Sequence, residues 1–320
     1  MHPVFSQFRM APRWTDGVTS RNHVGAVERC AHYQGVTPNS LPYRPDDGPL
    51  GPTGALPRVN EELFEWIDVL ESVARYAQGA RTRPYAFAEV GAGYGRWSVT
   101  AICALRQLAP AAPFLVLAAE ADPDHFAWLQ DCLADNAIPP QARRLSQAPV
   151  AGAVRQVQFI AGDPHDWYGQ SIIDPQYEAY LRRHPRAQHL ENAYLREPRW
   201  WERWTGARVK RRIRPVMAIT LATMLAEAQV VDMVDMDIQG AEAEVIEGSV
   251  DVLRAKVLRL HVGTHSAEVE ARVRRALGGG GWRLAQDYAC AGQRDTPYGP
   301  VGFGDGIQTW INEELERACA

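Results

Sequence analysis

Nowhere in the 320 residues do 18 apolar residues run together, so no segment reads as a membrane-spanning helix. The first twenty residues, MHPVFSQFRMAPRWTDGVTS, also lack the uninterrupted apolar stretch of a secretory signal. Cysteine is sparse and scattered: Cys30, Cys103, Cys132, Cys290 and Cys319 form no CxxC pair and show no zinc or disulfide spacing. A reducing, cytoplasmic setting is therefore expected. An excess of one charge is missing too. With 34 Lys and Arg against 38 Asp and Glu, the formal net charge is −4, which gives no electrostatic case for general nucleic-acid binding. What is present is 46% hydrophobic and 22% charged residues, with a mean hydropathy of −0.30. That composition belongs to a globular chain, not to a disordered tail or a polytopic membrane protein.

Residues 1–58 hold Pro/Gly clusters such as RPDDGPLGPTGALPR, which interrupt helix and strand alike, so an irregular arm is expected ahead of one domain over 59–320. From Asn60 the pattern changes. NEELFEWIDVLESVARYAQ places Leu63, Phe64, Ile67, Leu70, Val73 and Ala74 on one helical stripe behind an Asn60 cap. Short apolar runs then alternate with helix-like segments: strand 85–90, helix 96–108, strand 114–119, helix 123–136 and strand-like 157–161. The rhythm resumes with helix 218–229, strand 231–236, helix 241–247, strand 256–262 and helix 267–277. Apolar strands linked by helices predict an α/β fold with a doubly wound, mostly parallel sheet. WRLAQDYA and GIQTWINEEL follow without a helix between them, and predict an antiparallel closing hairpin at the sheet edge.

Chemistry concentrates at four strand ends. Glu89-Val-Gly-Ala-Gly-Tyr-Gly95 joins the first strand to the first following helix, and Gly91, Gly93 and Gly95 would let a ligand approach bare backbone there. A dinucleotide fingerprint fits poorly, because Arg96 stands where its third small residue belongs. A Walker A loop is excluded, since no G-K-[ST] follows. The acid Glu89 disfavours a nearby anion and suits a cationic, amino-acid-bearing ligand such as S-adenosylmethionine. Glu120, ending the second strand, is placed to accept hydrogen bonds from ribose hydroxyls, while Asp122 before Pro123 fills the helix cap. Asp237 ends a later strand in DMDIQGAE, and the next ends in LHVGTHS with His261 and His265. Together these three are the candidate catalytic residues, as a general base or as ligands of a cation. Singly, each histidine reads first as a hydrogen-bonded packing residue, His261 more so than His265.

EVGAGYG, AAEADPDHFAWLQDCLADNAI and VDMVDMDIQGAEAEVIEGS, in that order, resemble the FkbM-type methyltransferases over roughly residues 80–165 and 215–290. The resemblance implies a Rossmann-like class I fold with a seven-stranded sheet, S-adenosylmethionine as cofactor, and O-methylation of a saccharide, polysaccharide or glycosylated natural product. By position it puts Glu89, Gly91, Gly93 and Gly95 around the cofactor's methionine part, Glu120 at its ribose and Asp237 beside the transferred methyl. If a divalent cation such as Mg2+ is used, Asp237 and His265 are its expected ligands. LHVGTH departs from the family's usual acid-x-His and leaves the choice of base open.

Residues 170–214 break the pattern with eleven Lys and Arg against five Asp and Glu, and read as a basic, Trp-rich insertion. Trp200, Trp201 and Arg203 within it, and His165 and Trp167 just ahead, are the candidate acceptor-binding residues. The insertion serves equally as a lid or as an oligomer contact. An NAD-type oxidoreductase on the same sheet and a non-catalytic cofactor-binding protein are the competing readings; neither a nucleic-acid partner nor a membrane span is expected.

Overall fold

The computed structural model describes residues 1–33, 55–79, 83–162, 164, 170–173 and 211–319. Three short strands, β1 (Trp14–Thr15), β2 (Thr19–Arg21) and β3 (Val27–Arg29), form an antiparallel meander. Then follow α1 (Glu62–Gln78), β4 (Tyr85–Val90), α2 (Arg96–Leu108), β5 (Phe114–Ala119), α3 (Pro123–Asp135) and β6 (Arg143–Ser146). A second small sheet holds β7 (Gln156–Gly162), β8 (Ile172–Ile173) and β9 (Arg211–Met217). After it come α4 (Leu221–Met224), β10 (Met233–Met236), α5 (Glu242–Glu247), α6 (Val250–Lys256), β11 (Arg259–Thr264) and α7 (Ala267–Leu277). The chain closes with β12 (Trp282–Tyr288), the hairpin β13 (Gly292–Thr296) and β14 (Gly299–Phe303), β15 (Gly306–Asn312) and α8 (Glu313–Cys319).

The main sheet has seven strands in the order β12-β15-β11-β10-β4-β5-β6. β11, β10, β4, β5 and β6 run parallel, and β15 is reversed against both β11 and β12. Its central strands are buried on both faces and sort their side chains by the two-residue period. Tyr85 and Phe87 join the core under α1, α2 and α3, whereas Ala86, Ala88 and Val90 join the opposite core under α4 to α7. The doubly wound sheet and its antiparallel closing pair thus follow from the sequence pattern.

Four expectations change in detail. Val157–Ala161 is a strand but belongs to the small sheet; the third parallel position in the main sheet falls to Arg143–Ser146, an RRLS edge too short and charged to show a periodic signal. The helix expected over 218–229 is a single turn, Leu221–Met224, capped by Thr220. Asn60 contributes only its carbonyl, to the Leu63 N–H at 3.1 Å, and no side chain caps α1. The N-terminal arm is not irregular throughout: besides the meander, residues 1–33 place Val4, Phe5, Phe8, Val24 and Ala26 in the main core. Asn136 holds the meander by accepting from the Val27 N–H at 2.8 Å and donating to its carbonyl at 2.7 Å. Residues 34–54, which hold most of the Pro/Gly run, lie outside the described residues.

Candidate active site

Where β4, β10 and β11 end, a cavity of about 300 Å³ opens between the glycine turn, the end of β5 and the β10–α5 turn. This is the carboxyl edge of the parallel strands, where ligands of doubly wound sheets bind. Gly91 has φ +83°, and a Cβ there would collide with the backbone carbonyl of Asp237, so only glycine lets the two turns meet. Gly91 and Gly93 line the cavity. Gly95 answers a different need, since its Cβ would strike Leu129 Cδ1 on α3; its place is in the packing of α2 on α3.

The Glu89 carboxylate turns under α2, accepting the N–H groups of Trp97 and Ser98 at 3.2 and 2.9 Å and the Ser98 hydroxyl. It therefore occupies the dipole-positive end of α2, even though Glu89 also borders the cavity. Burial, with the nearby Asp235, pushes it up to about 8. Glu120 accepts the Gly93 N–H on one oxygen and the Asp122 N–H on the other, both at 2.7 Å, so the second strand's acid fixes the glycine turn directly. Burial raises its pKa. Asp122 caps α3 as expected, accepting from Asp124 and His125.

Asp237 follows β10 with its side chain 48% exposed. His265 places Nε2 3.3 Å from Asp237 Oδ1 and Nδ1 2.9 Å from Glu242 Oε1. Glu242, fully buried, also accepts the N–H groups of Ile238 and Gly240 at 3.2 and 2.9 Å, which shapes the turn carrying Asp237. Burial alone would lower the His265 pKa, but the Glu242 and Asp237 charges outweigh it and raise it well above the usual value. Burial likewise works upward on Asp237, and His265 more than offsets it, leaving Asp237 below the ordinary carboxylate value. The result is an ionised aspartate facing the cavity with an imidazolium behind it. These three side chains also bring ligand atoms within 4.8 Å of one another, where a cation would have to displace the His265 proton to bind.

His261 is not brought to this group. It is 2% exposed, with Nδ1 2.7 Å from Asp68 Oδ2 on α1. Thr309 donates to the same oxygen, and Arg259 donates to Asp68 Oδ1 at 2.5 Å and to Glu71 at 2.6 Å. Against the downward effect of burial, Asp68 raises the His261 pKa.

Five cavity acids lie outside the sequence-derived candidates: Glu61, Glu62, Glu65, Asp235 and Asp305. Glu65 was hidden in the amphipathic pattern of α1, and Asp235 in the strand run VDMVDMD. Asp305 sits in a turn with no local signature, its Oδ1 3.8 Å from His265 Nε2. Glu242 did carry a signal, the D-x-x-G-A-E spacing. His165, Trp167, Trp200, Trp201 and Arg203 lie outside the described residues. The borders of the 170–214 insertion are described: Gln170, Ser171 and Ile172 line the cavity, and Arg211 begins the strand that returns along β7.

The strand order, with one reversed strand beside β11 and a glycine turn at the topological switch, defines a class I methyltransferase fold. The sequence profile of the methyltransferase FkbM domain matches residues 89–277, more than half of the chain, and the protein belongs to that family. It is 24% identical over 228 residues to a protein of Jannaschia sp. (strain CCS1) named "Putative methyltransferase", covering 71% of this chain and 70% of the relative. Among solved structures it is similar to methyltransferase FkbM from Methylobacillus flagellatus KT, with a TM-score of 0.40, 11% identity, and coverage of 78% of this chain and 53% of the other. The precorrin-6y C5,15-methyltransferase of Geobacter metallireducens GS-15 gives a TM-score of 0.38 and 11% identity over 79% and 90% of the two chains. Among the described residues no helix is long and apolar enough to cross a membrane.

Proposed function

We propose that this methyltransferase uses S-adenosylmethionine to O-methylate a hydroxyl of a saccharide or glycosylated natural product. The observation that carries the reading is Asp237, half-exposed beside the glycine turn, with His265 Nε2 3.3 Å from its carboxylate. The cavity fits the cofactor: Gly91 and Gly93 offer bare backbone, and each Glu120 oxygen keeps a lone pair for a ribose hydroxyl after accepting its backbone N–H. When bound, S-adenosylmethionine supplies a methyl group on a cationic sulfur for in-line displacement.

The protein's task is then to orient the acceptor and take its proton. Asp237 accepts the hydrogen bond of the acceptor hydroxyl and so aligns its oxygen. A hydroxyl gains acidity sharply as its oxygen is alkylated, so even a carboxylate of low pKa can receive the proton late in the reaction. His265 keeps Asp237 charged and in place, and Glu242 keeps His265 charged. Glu61, Glu65 and Asp305 also line the cavity, and this acidic wall supports a neutral polyhydroxylated acceptor over a phosphate or uronate. The basic insertion, whose first residues Gln170, Ser171 and Ile172 line the cavity, would serve the acceptor side.

The test is transfer of labelled methyl from S-adenosylmethionine to extracted glycans and small metabolites, by the parent protein and by Asp237→Asn. The variant is expected to lose about 10²- to 10⁴-fold in rate while keeping its affinity for S-adenosylhomocysteine in calorimetry. Heat with NAD but none with S-adenosylhomocysteine would instead identify an oxidoreductase. Cofactor affinity without transfer to any acceptor would identify a binding protein.

A further inference from the structure

Behind the Asp237 wall lies a second group of polar side chains that the methyl-transfer reading does not use. Glu89, Asp235, His261 and Thr309 occupy matching positions on four adjacent strands, forming one row beneath α1. From α1, Glu65 and Asp68 face this row. Most charges around it are matched: Glu62 pairs with Arg96 at 2.9 Å, and Asp68 and Glu71 share Arg259. Glu89 is held by the start of α2. Glu65 and Asp235 remain, and among the described residues neither has an ion-pair partner. Asp235 is 3% exposed, and its buried Oδ1 has no hydrogen-bond partner. A carboxylate in that position is costly unless a cation or a proton compensates it.

We propose that Glu65, Asp235 and His261 form a divalent-cation site at the cavity wall, suited to Mn2+ or a similar transition ion in preference to Mg2+. Their ligand atoms lie within 4.8 Å of one another. Two ligands opposite each other on one ion are separated by about twice a bond of about 2.1 Å, so modest side-chain rotation closes the set. Asp68 holds His261 Nδ1 and leaves Nε2 as the ligand nitrogen, the carboxylate–histidine–metal arrangement that fixes tautomer and ring direction. One imidazole with two carboxylates suits a transition ion better than the all-oxygen preference of Mg2+. Glu65 is half-buried and lines the cavity, which gives the ion an entry path. The inference stands apart from the proposed activity, because it concerns binding alone.

The test uses the full chain stripped with EDTA and titrated with Mn2+, followed by calorimetry and electron paramagnetic resonance. One site is expected, with nitrogen coupling from His261 that disappears in His261→Gln. Glu65→Gln and Asp235→Asn should each weaken binding at least about 10-fold, while Asp237→Asn and His265→Gln leave it within about twofold. Glu65→Gln, at the cavity wall, keeps the test decisive should Asp235→Asn fail to fold. Absence of Mn2+ binding overturns the proposal, as does weakening by Asp237→Asn or His265→Gln in place of the Glu65 and Asp235 variants.

Discussion

Asp237 and its neighbours show how a weakly basic carboxylate is kept ready for use. Its pKa is lowered by His265 against the effect of burial, so its ionised form persists on the acid side of the ordinary value. His265, raised well above 6.5, contributes this interaction in full below that value, and the contribution is lost as pH rises through its folded-state pKa. In a pH profile of kcat, the parent protein should show no acid limb down to about pH 5. His265→Gln should bring that limb upward, because Asp237 then feels burial without its counter-charge. An unmoved limb would remove His265 from its positioning role. Gly91 is as sharply constrained for a steric reason. Gly91→Ala forces a side chain into positive φ and against the Asp237 carbonyl. More than about 1 kcal/mol of destabilisation is expected, read in urea unfolding, together with loss of S-adenosylhomocysteine binding by calorimetry.

Helix α1 is held to the sheet by a charge bracket as well as by its apolar stripe. Asp68, fully buried, accepts from Arg259, His261 and Thr309, so removing its charge leaves Arg259, 6% exposed, with the Glu71 carboxylate alone and leaves His261 without its counter-charge. Asp68→Asn should cost about 3–5 kcal/mol in denaturant unfolding; a change below about 1 kcal/mol would mean that the bracket adds nothing to stability. The Leu63-to-Ala74 stripe announced this helix, but nothing local announced its partners, which come from strands some 190 to 240 positions away. The same division holds elsewhere. Strands β4, β5 and β10 and the Asp122 cap were legible because periodicity and capping are local. The short edge β6 carried too few apolar residues to register. The Asp237–His265 contact was expected from two neighbouring strand ends, whereas Glu65 and Asp235 came into view only when α1 crossed the sheet. Gly95 and Glu89 fit a ligand-loop pattern, and they also meet α3 and α2, since packing and helix capping select the same residue types.

Across the whole protein, buried acids set the pH response of stability. Burial raises Glu89 from 4.5 to about 8 and Asp235 from 3.8 to about 7. Between the unfolded and folded values each is protonated when native and ionised when unfolded, so stability falls as pH climbs through that window. In EDTA, the melting temperature should therefore decline from pH 5 to pH 9, with a free-energy change on the order of a few kcal/mol. Glu89→Gln, which cannot ionise, should flatten much of that decline; an equally steep curve would show that Glu89 is already charged in the native protein. The bracket on α1 also has a consequence for biosynthesis. Thr309 lies 241 positions after Asp68, which at about 5–20 residues per second is roughly 12–48 s of translation. The apolar stripe meets α2 and β4 early, but the buried acid waits for β11 and then β15 to complete its set of donors, which makes the helix a natural early client for a chaperone.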